Sequence, residues 1–161
     1  MSPMKIAVIC STLNRLGGPA AHIRNLYLHL NGPEFRLTLI FCSAEETALC
    51  EFMLSGGVRA KDMIFIPHAQ KRVLFPFILA LRRLFLKEQY DLVHAFETQT
   101  QVLAGLAARL AGVKTFLCHC EAQFLPSTIS LPKRILFRGL NFFMKGYFIR
   151  SLAVSSGLAW E

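Results

Sequence analysis

Six short runs of nearly continuous apolar, β-branched character punctuate the chain: KIAVIC at 5–10, RLTLIFC at 36–42, DMIFI at 62–66, DLVHAF at 91–96, KTFLCHC at 114–120 and SLAVS at 151–155. They lack the polar alternation of a strand with one wet face, so they predict strands covered on both sides. The stretches between them have a longer period. Ile23, Leu26, Tyr27 and Leu30 recur at i, i+3, i+4 and i+7, and Val102, Leu106 and Leu110 at i, i+4 and i+8, as one face of a helix does. Segments 45–54, 73–87 and 133–147 are the other helical candidates. Strand and helix thus alternate through the chain, which predicts an α/β fold: a Rossmann-like, doubly wound, mostly parallel sheet with helices on both faces. Right-handed crossovers then gather the loops 11–19, 43–45, 67–72, 96–100 and 119–130 at the carboxyl edge of the sheet, where such folds take ligands.

Composition narrows the class. A chain of 161 residues has room for one domain of ordinary size. Its 53% hydrophobic content invites a search for a membrane span, but the longest run, Val73 to Leu81, is interrupted by Pro76 and falls far short of the roughly 20 apolar residues needed. KIAVIC is too short for a secretory signal and no small-residue cleavage site follows it, so a cytoplasmic location is expected. The five cysteines, Cys10, Cys42, Cys50, Cys118 and Cys120, are odd in number and fall largely in strand-like runs, which predicts reduced core thiols. Cys118-His119-Cys120 lacks the ligand spacing of zinc sites and has no second ligand pair, so no metal is expected.

The net charge of +8 is concentrated in two places. Lys71, Arg72, Arg82, Arg83 and Lys87 lie in one acid-free segment, and Lys133, Arg134, Arg138, Lys145 and Arg150 in another. Both mix cations with large aliphatic and aromatic residues, as a helix on an anionic bilayer does. A helix that packs its apolar stripe on the sheet and solvates its basic face has the same pattern. Segments 73–87 and 133–150 therefore stand as candidates for an anionic membrane surface. Nucleic acid is not expected, because none of its recognition motifs is present.

The loop after the first strand, STLNRLGGPAAH, carries Gly17, Gly18 and, just inside the following helix, Pro19. Paired glycines allow close approach of a ligand to the main chain, and the N–H groups and dipole of a helix start favour an anion such as phosphate. A plain loop with a convenient helix start is the other reading. Neither G-x-G-x-x-G nor G-x-x-x-x-G-K-[ST] occurs.

Taken in order, KIAVICSTLNRLGGPAAHIRNLYLHL, FRLTLIFCS, YDLVHAFETQTQVLAGLAARLAGVKTFLCHCE and SLAVSSGLAWE resemble the N-terminal domain of GT-B glycosyltransferases of family 4. The resemblance implies that Gly17 and Gly18 touch the diphosphate of a nucleotide-sugar donor, and that His119 stands at the reaction centre. It implies transfer with retention, with no cofactor and no metal. His22, Glu97 and Glu121 become candidate substrate contacts, with Gln123 a weaker one, while His94 reads as structural. Many relatives carry Glu where this chain has Ala20, which removes one contact. The resemblance further implies that residues 1–161 form a single acceptor-side domain, incomplete at its C-terminus, without the donor-binding half. Partners would be a nucleotide-sugar, an acceptor glycan or lipid, and a C-terminal GT-B domain in cis or trans. The location would be cytoplasmic and peripheral to the inner membrane surface. A stand-alone Rossmann-like module that binds a phosphorylated ligand or a protein, without catalysis, is the alternative.

Overall fold

The computed structural model describes residues 2–10, 18–43, 47–66, 74–96, 98–120, 139 and 150–153. All six predicted runs form strands: β1 (Met4–Cys10), β2 (Phe35–Phe41), β3 (Met63–Phe65), β4 (Leu92–Phe96), β5 (Thr115–Cys120) and β6 (Arg150–Ala153). They build one sheet in the order β3-β2-β1-β4-β5-β6, and every adjacent pair is parallel. The helices are α1 (Gly18–Leu30), α2 (Thr47–Ser55), α3 (Leu74–Glu88) and α4 (Thr98–Leu110). The predicted helix at 133–147 lies outside the described residues, apart from Gly139.

Two cores explain why the strands read as unbroken apolar runs. In β1, Ile6, Val8 and Cys10 join Ala20, Ile23 and Tyr27 of α1 and Leu49 and Met53 of α2 on one face of the sheet. Ala7 and Ile9 join Phe77, Leu81 and Phe85 of α3 and Leu103, Ala104, Ala107 and Ala108 of α4 on the other. Both faces exclude water, so neither parity of the strand can be polar. The three alanines of α4 are fully buried, and side chains this small let the helix lie close to the sheet. Pro76 falls in the first turn of α3, where a missing N–H costs no intrahelical bond. Among the described residues no helix is long and apolar enough to cross a membrane.

Helices α2 and α4 end in the same way. Gly57 and Gly112 take φ of 92° and 76°. Each donates its N–H to the carbonyl three residues back, while the valine that follows donates to the carbonyl five back. These are Schellman caps, and Val58 and Val113 bury the accompanying apolar contact. At the end of α4, Gly112 turns the chain and Val113 feeds it into β5.

The amino edge of the sheet is tied by polar contacts. Lys5 donates its backbone N–H to Asp91 Oδ2 at 2.8 Å and its Nζ to the Glu88 carbonyl at 2.9 Å, bracing β1 against the turn between α3 and β4. Near the end of α1, the Tyr27 hydroxyl donates to Asp62 Oδ2 at 2.6 Å, and Arg59 Nε donates to the same oxygen at 2.7 Å. Asp62 is buried in a single 3-10 turn (Ala60–Asp62) that leads into β3. Cys10 and Cys42 are buried thiols and Cys50 is half-buried, with no disulfide among them.

Burial raises the phenol pKa of both Tyr27 and Tyr90 above the ordinary 10.0, and at Tyr27 the hydrogen bond to Asp62 adds to the rise. Above about pH 10 the unfolded chain loses these protons first, so the folded chain holds more protons and stability falls as pH rises. Urea unfolding midpoints should be level through pH 9 and decline above about pH 10. The combined substitution Y27F/Y90F should flatten that decline, and an unchanged decline would refute the assignment.

Candidate functional site at the carboxyl edge

The sheet order reverses at one place. From β1 the chain crosses to β2 on one side, while β4 lies on the other, the kind of reversal beyond whose carboxyl ends doubly wound sheets form a ligand crevice. Two helices begin there, α1 at Gly18 and α4 at Thr98, and neither has an acidic side chain in its first turn. At α1 the first turn therefore leaves the N-terminal partial positive charge to the carboxyl edge, while α4 has Glu97 just ahead of it in the sequence.

The structure places the predicted residues unevenly. Gly18 is the first residue of α1 instead of a loop residue. His22 lies one turn on and is exposed, with Asn25 and His29 on the same polar side. Its ring meets Phe96, the last residue of β4, edge to face at 5.7 Å. Phe96 is fully buried and also packs against His94 at 4.6 Å, so His94 is seated within the sheet as expected of a structural residue. Across the next pair of strands, the backbone of Phe96 is in register with His119, the penultimate residue of β5. The topology thus brings His22 and the His119 backbone to either flank of Phe96. Gly17, Glu97, Glu121 and Gln123 lie outside the described residues.

One correction follows. The segment 96–100, expected to be a loop, is strand at Phe96 and helix from Thr98, because polar residues at a helix start are read as loop from pattern alone. Within that turn Thr100 and Gln101 are each only 1% exposed, and neither was singled out by the sequence. Thr100 Oγ1 is buried with no hydrogen-bond partner among the described residues. The run ETQTQ between a strand and an apolar helix was the available signal. Ala20, where relatives carry Glu, is fully buried in the core between α1 and the sheet.

A doubly wound parallel sheet with a crevice at its reversal defines a Rossmann-like domain of the kind that forms one half of a GT-B fold. The model of Glycosyltransferase Family 4 matches residues 16–158, and the chain belongs to that family. No curated protein matches it. Among solved structures, a putative UDP-N-acetylglucosamine 2-epimerase from Listeria monocytogenes superposes with a TM-score of 0.71 at 18% identity, covering 97% of this chain and 40% of that one. MurG from Acinetobacter baumannii gives 0.67 at 13% identity, with 99% and 43% covered. The lipopolysaccharide outer core galactosyltransferase WaaB gives 0.60 at 17%, with 96% and 40% covered. At these identities the likeness is one of fold. The chain spans about 40% of the length of these solved relatives.

Proposed function

We propose that this chain is the acceptor-side half of a GT-B glycosyltransferase, acting with a donor-binding half supplied in cis or in trans. The observation that carries this reading is the reversal of strand order between β1 and β4, with α1 beginning at Gly18 on that edge and an exposed His22 one turn on. A helix start free of acids suits the diphosphate of a nucleotide-sugar, which Gly17 and Gly18 would approach through backbone N–H groups. His119, and after it His22, Glu97 and Glu121, would meet the reacting sugar and the acceptor. Transfer would proceed with retention and would need neither cofactor nor metal. Half a cleft cannot orient both substrates, so the chain by itself should not catalyse transfer.

The acceptor in this reading is a glycan or a lipid-linked glycan at an anionic membrane surface. The outward side of α3 supports it: Phe75 is 69% exposed and Leu86 45%, beside exposed Arg83 and Lys87. Apolar side chains and cations on one exposed face suit an acidic bilayer. WaaB, named for lipopolysaccharide, offers a precedent for such an acceptor.

The test joins this chain to a family 4 donor-binding domain and assays release of nucleoside diphosphate from UDP-, GDP- and ADP-sugars, with anionic vesicles present and absent. Turnover by the joined protein and none by the chain alone is expected. Saturable binding of a phosphorylated ligand by the chain, with no turnover in any combination, would favour the binding-module reading instead. Failure of the chain to sediment with anionic vesicles would remove the membrane part.

A further inference from the structure

At the opposite, amino edge of the sheet, a small polar cavity of about 110 Å³ opens between the starts of β1, β2 and β3 and the turn before β4. We propose that this cavity, walled by Arg36, Thr38, Lys61 and Tyr90, is a binding site for a tetrahedral oxyanion of the phosphate class. It is independent of the carboxyl-edge crevice and does not rest on the transferase reading.

Three observations point to an anion. The first is an orphaned donor. Tyr90 is buried and lines the cavity, and among the described residues its hydroxyl has no partner within hydrogen-bond geometry; Thr38, on the same wall, is near enough only to offset part of the rise in its pKa. A buried O–H left without an acceptor is costly, and native structures seldom keep one without a ligand or water to satisfy it.

The second is charge. Lys5, Arg36 and Lys61 line the cavity against two carboxylates, Asp62 and Glu88. Asp62 Oδ2 already accepts from Tyr27 and Arg59, and the Glu88 carboxylate lies 3.6 Å from Lys87 Nζ. Lys5 is likewise occupied, on the Glu88 carbonyl. Arg36 and Lys61 form no ion pair among the described residues, so the cations left over are the two that reach the cavity from β2 and from the 3-10 turn.

The third is size. Liquid water occupies about 30 Å³ per molecule, so the space fits three or four waters or one phosphate. The donors match such an ion: a guanidinium fork, an ammonium, a phenol and a threonine hydroxyl. Because burial raises the Tyr90 pKa, the phenol stays a donor at every pH where phosphate is an anion of the cell. A bound oxyanion would link β2, the entry to β3 and the α3–β4 turn, and would stabilise the fold by mass action.

The experiment follows amide chemical shifts and melting temperature of the 161-residue chain during titration with inorganic phosphate, with chloride replaced at constant ionic strength. A parallel titration with glycerol phosphate separates a phosphomonoester from a free oxyanion, and either response supports the site. Saturable shifts at Thr38, Lys61 and Tyr90 are expected. R36Q, at an exposed position that should not disturb folding, and Y90F should each weaken binding about tenfold, the size of one lost charge-assisted contact. K114Q, on the same edge but outside the cavity, should leave it unchanged. Equal weakening by K114Q, a response that never saturates, or shifts confined to residues 18–22 would overturn the proposal.

Discussion

In a protein that joins this chain to its donor-binding half, His119→Ala is expected to lower turnover at least tenfold and to change nucleotide-sugar binding little. Loss of one preorganised donor at a centre where charge develops typically costs a factor of about 10²–10³ in turnover, so tenfold is a conservative floor. The backbone position makes the residue a suitable candidate. β5 ends one residue after His119, at the carboxyl edge, and His119 pairs in register with Phe96, whose ring also meets His22. A residue whose backbone belongs to a strand is positioned more firmly than one on a loop, as a catalytic donor needs. His119→Gln, which keeps an N–H donor with a different reach, should recover part of the lost turnover. Unchanged turnover in His119→Ala would remove the residue from the reaction, and equal losses in turnover and in donor affinity would make it a binding residue. His22→Ala, from an exposed position on α1, should act on substrate affinity more than on turnover.

Much of this frame was legible in the chain. The six apolar runs became six strands because a sheet covered on both faces tolerates no polar parity, a rule that acts through neighbours in sequence. What escaped the sequence was set by long-range geometry. Phe96 looked like the apolar end of a strand, and only the fold shows it standing between His22 and His94, residues of different elements. Thr100 and Gln101 were hidden because helix starts and loops share polar residues; burial, which separates the two, depends on what lies above them. Tyr90 drew no attention in the sequence, and its buried hydroxyl lines a cavity only because β2 and the 3-10 turn close around it.

Asp62 shows how such hidden contacts bear on the site. Its substitution by alanine is expected to lower stability by about 2–3 kcal/mol, a large share of the roughly 5–15 kcal/mol that holds a domain of this size. Asp62 is 3% exposed and is the acceptor for the Tyr27 hydroxyl at 2.6 Å, a bond spanning 35 residues. Without the carboxylate, a buried phenol O–H loses its acceptor, and Arg59 loses the partner that raises its pKa. Arg59, whose side chain is 53% exposed, can turn to water, so the cost falls mainly on Tyr27. A double-mutant cycle separates the two: Tyr27→Phe removes the orphan along with the bond, so Y27F/D62A should be less destabilised than the two single losses added together. Additive losses in urea unfolding would show that the bond carries no coupling. Tyr27 sits near the end of α1, the helix that begins at Gly18 and carries His22, so this bond fixes from the amino edge the helix whose other end enters the crevice. Loosening it should therefore raise amide exchange along the whole of α1, Gly18 and His22 included, while leaving β4 and β5 protected.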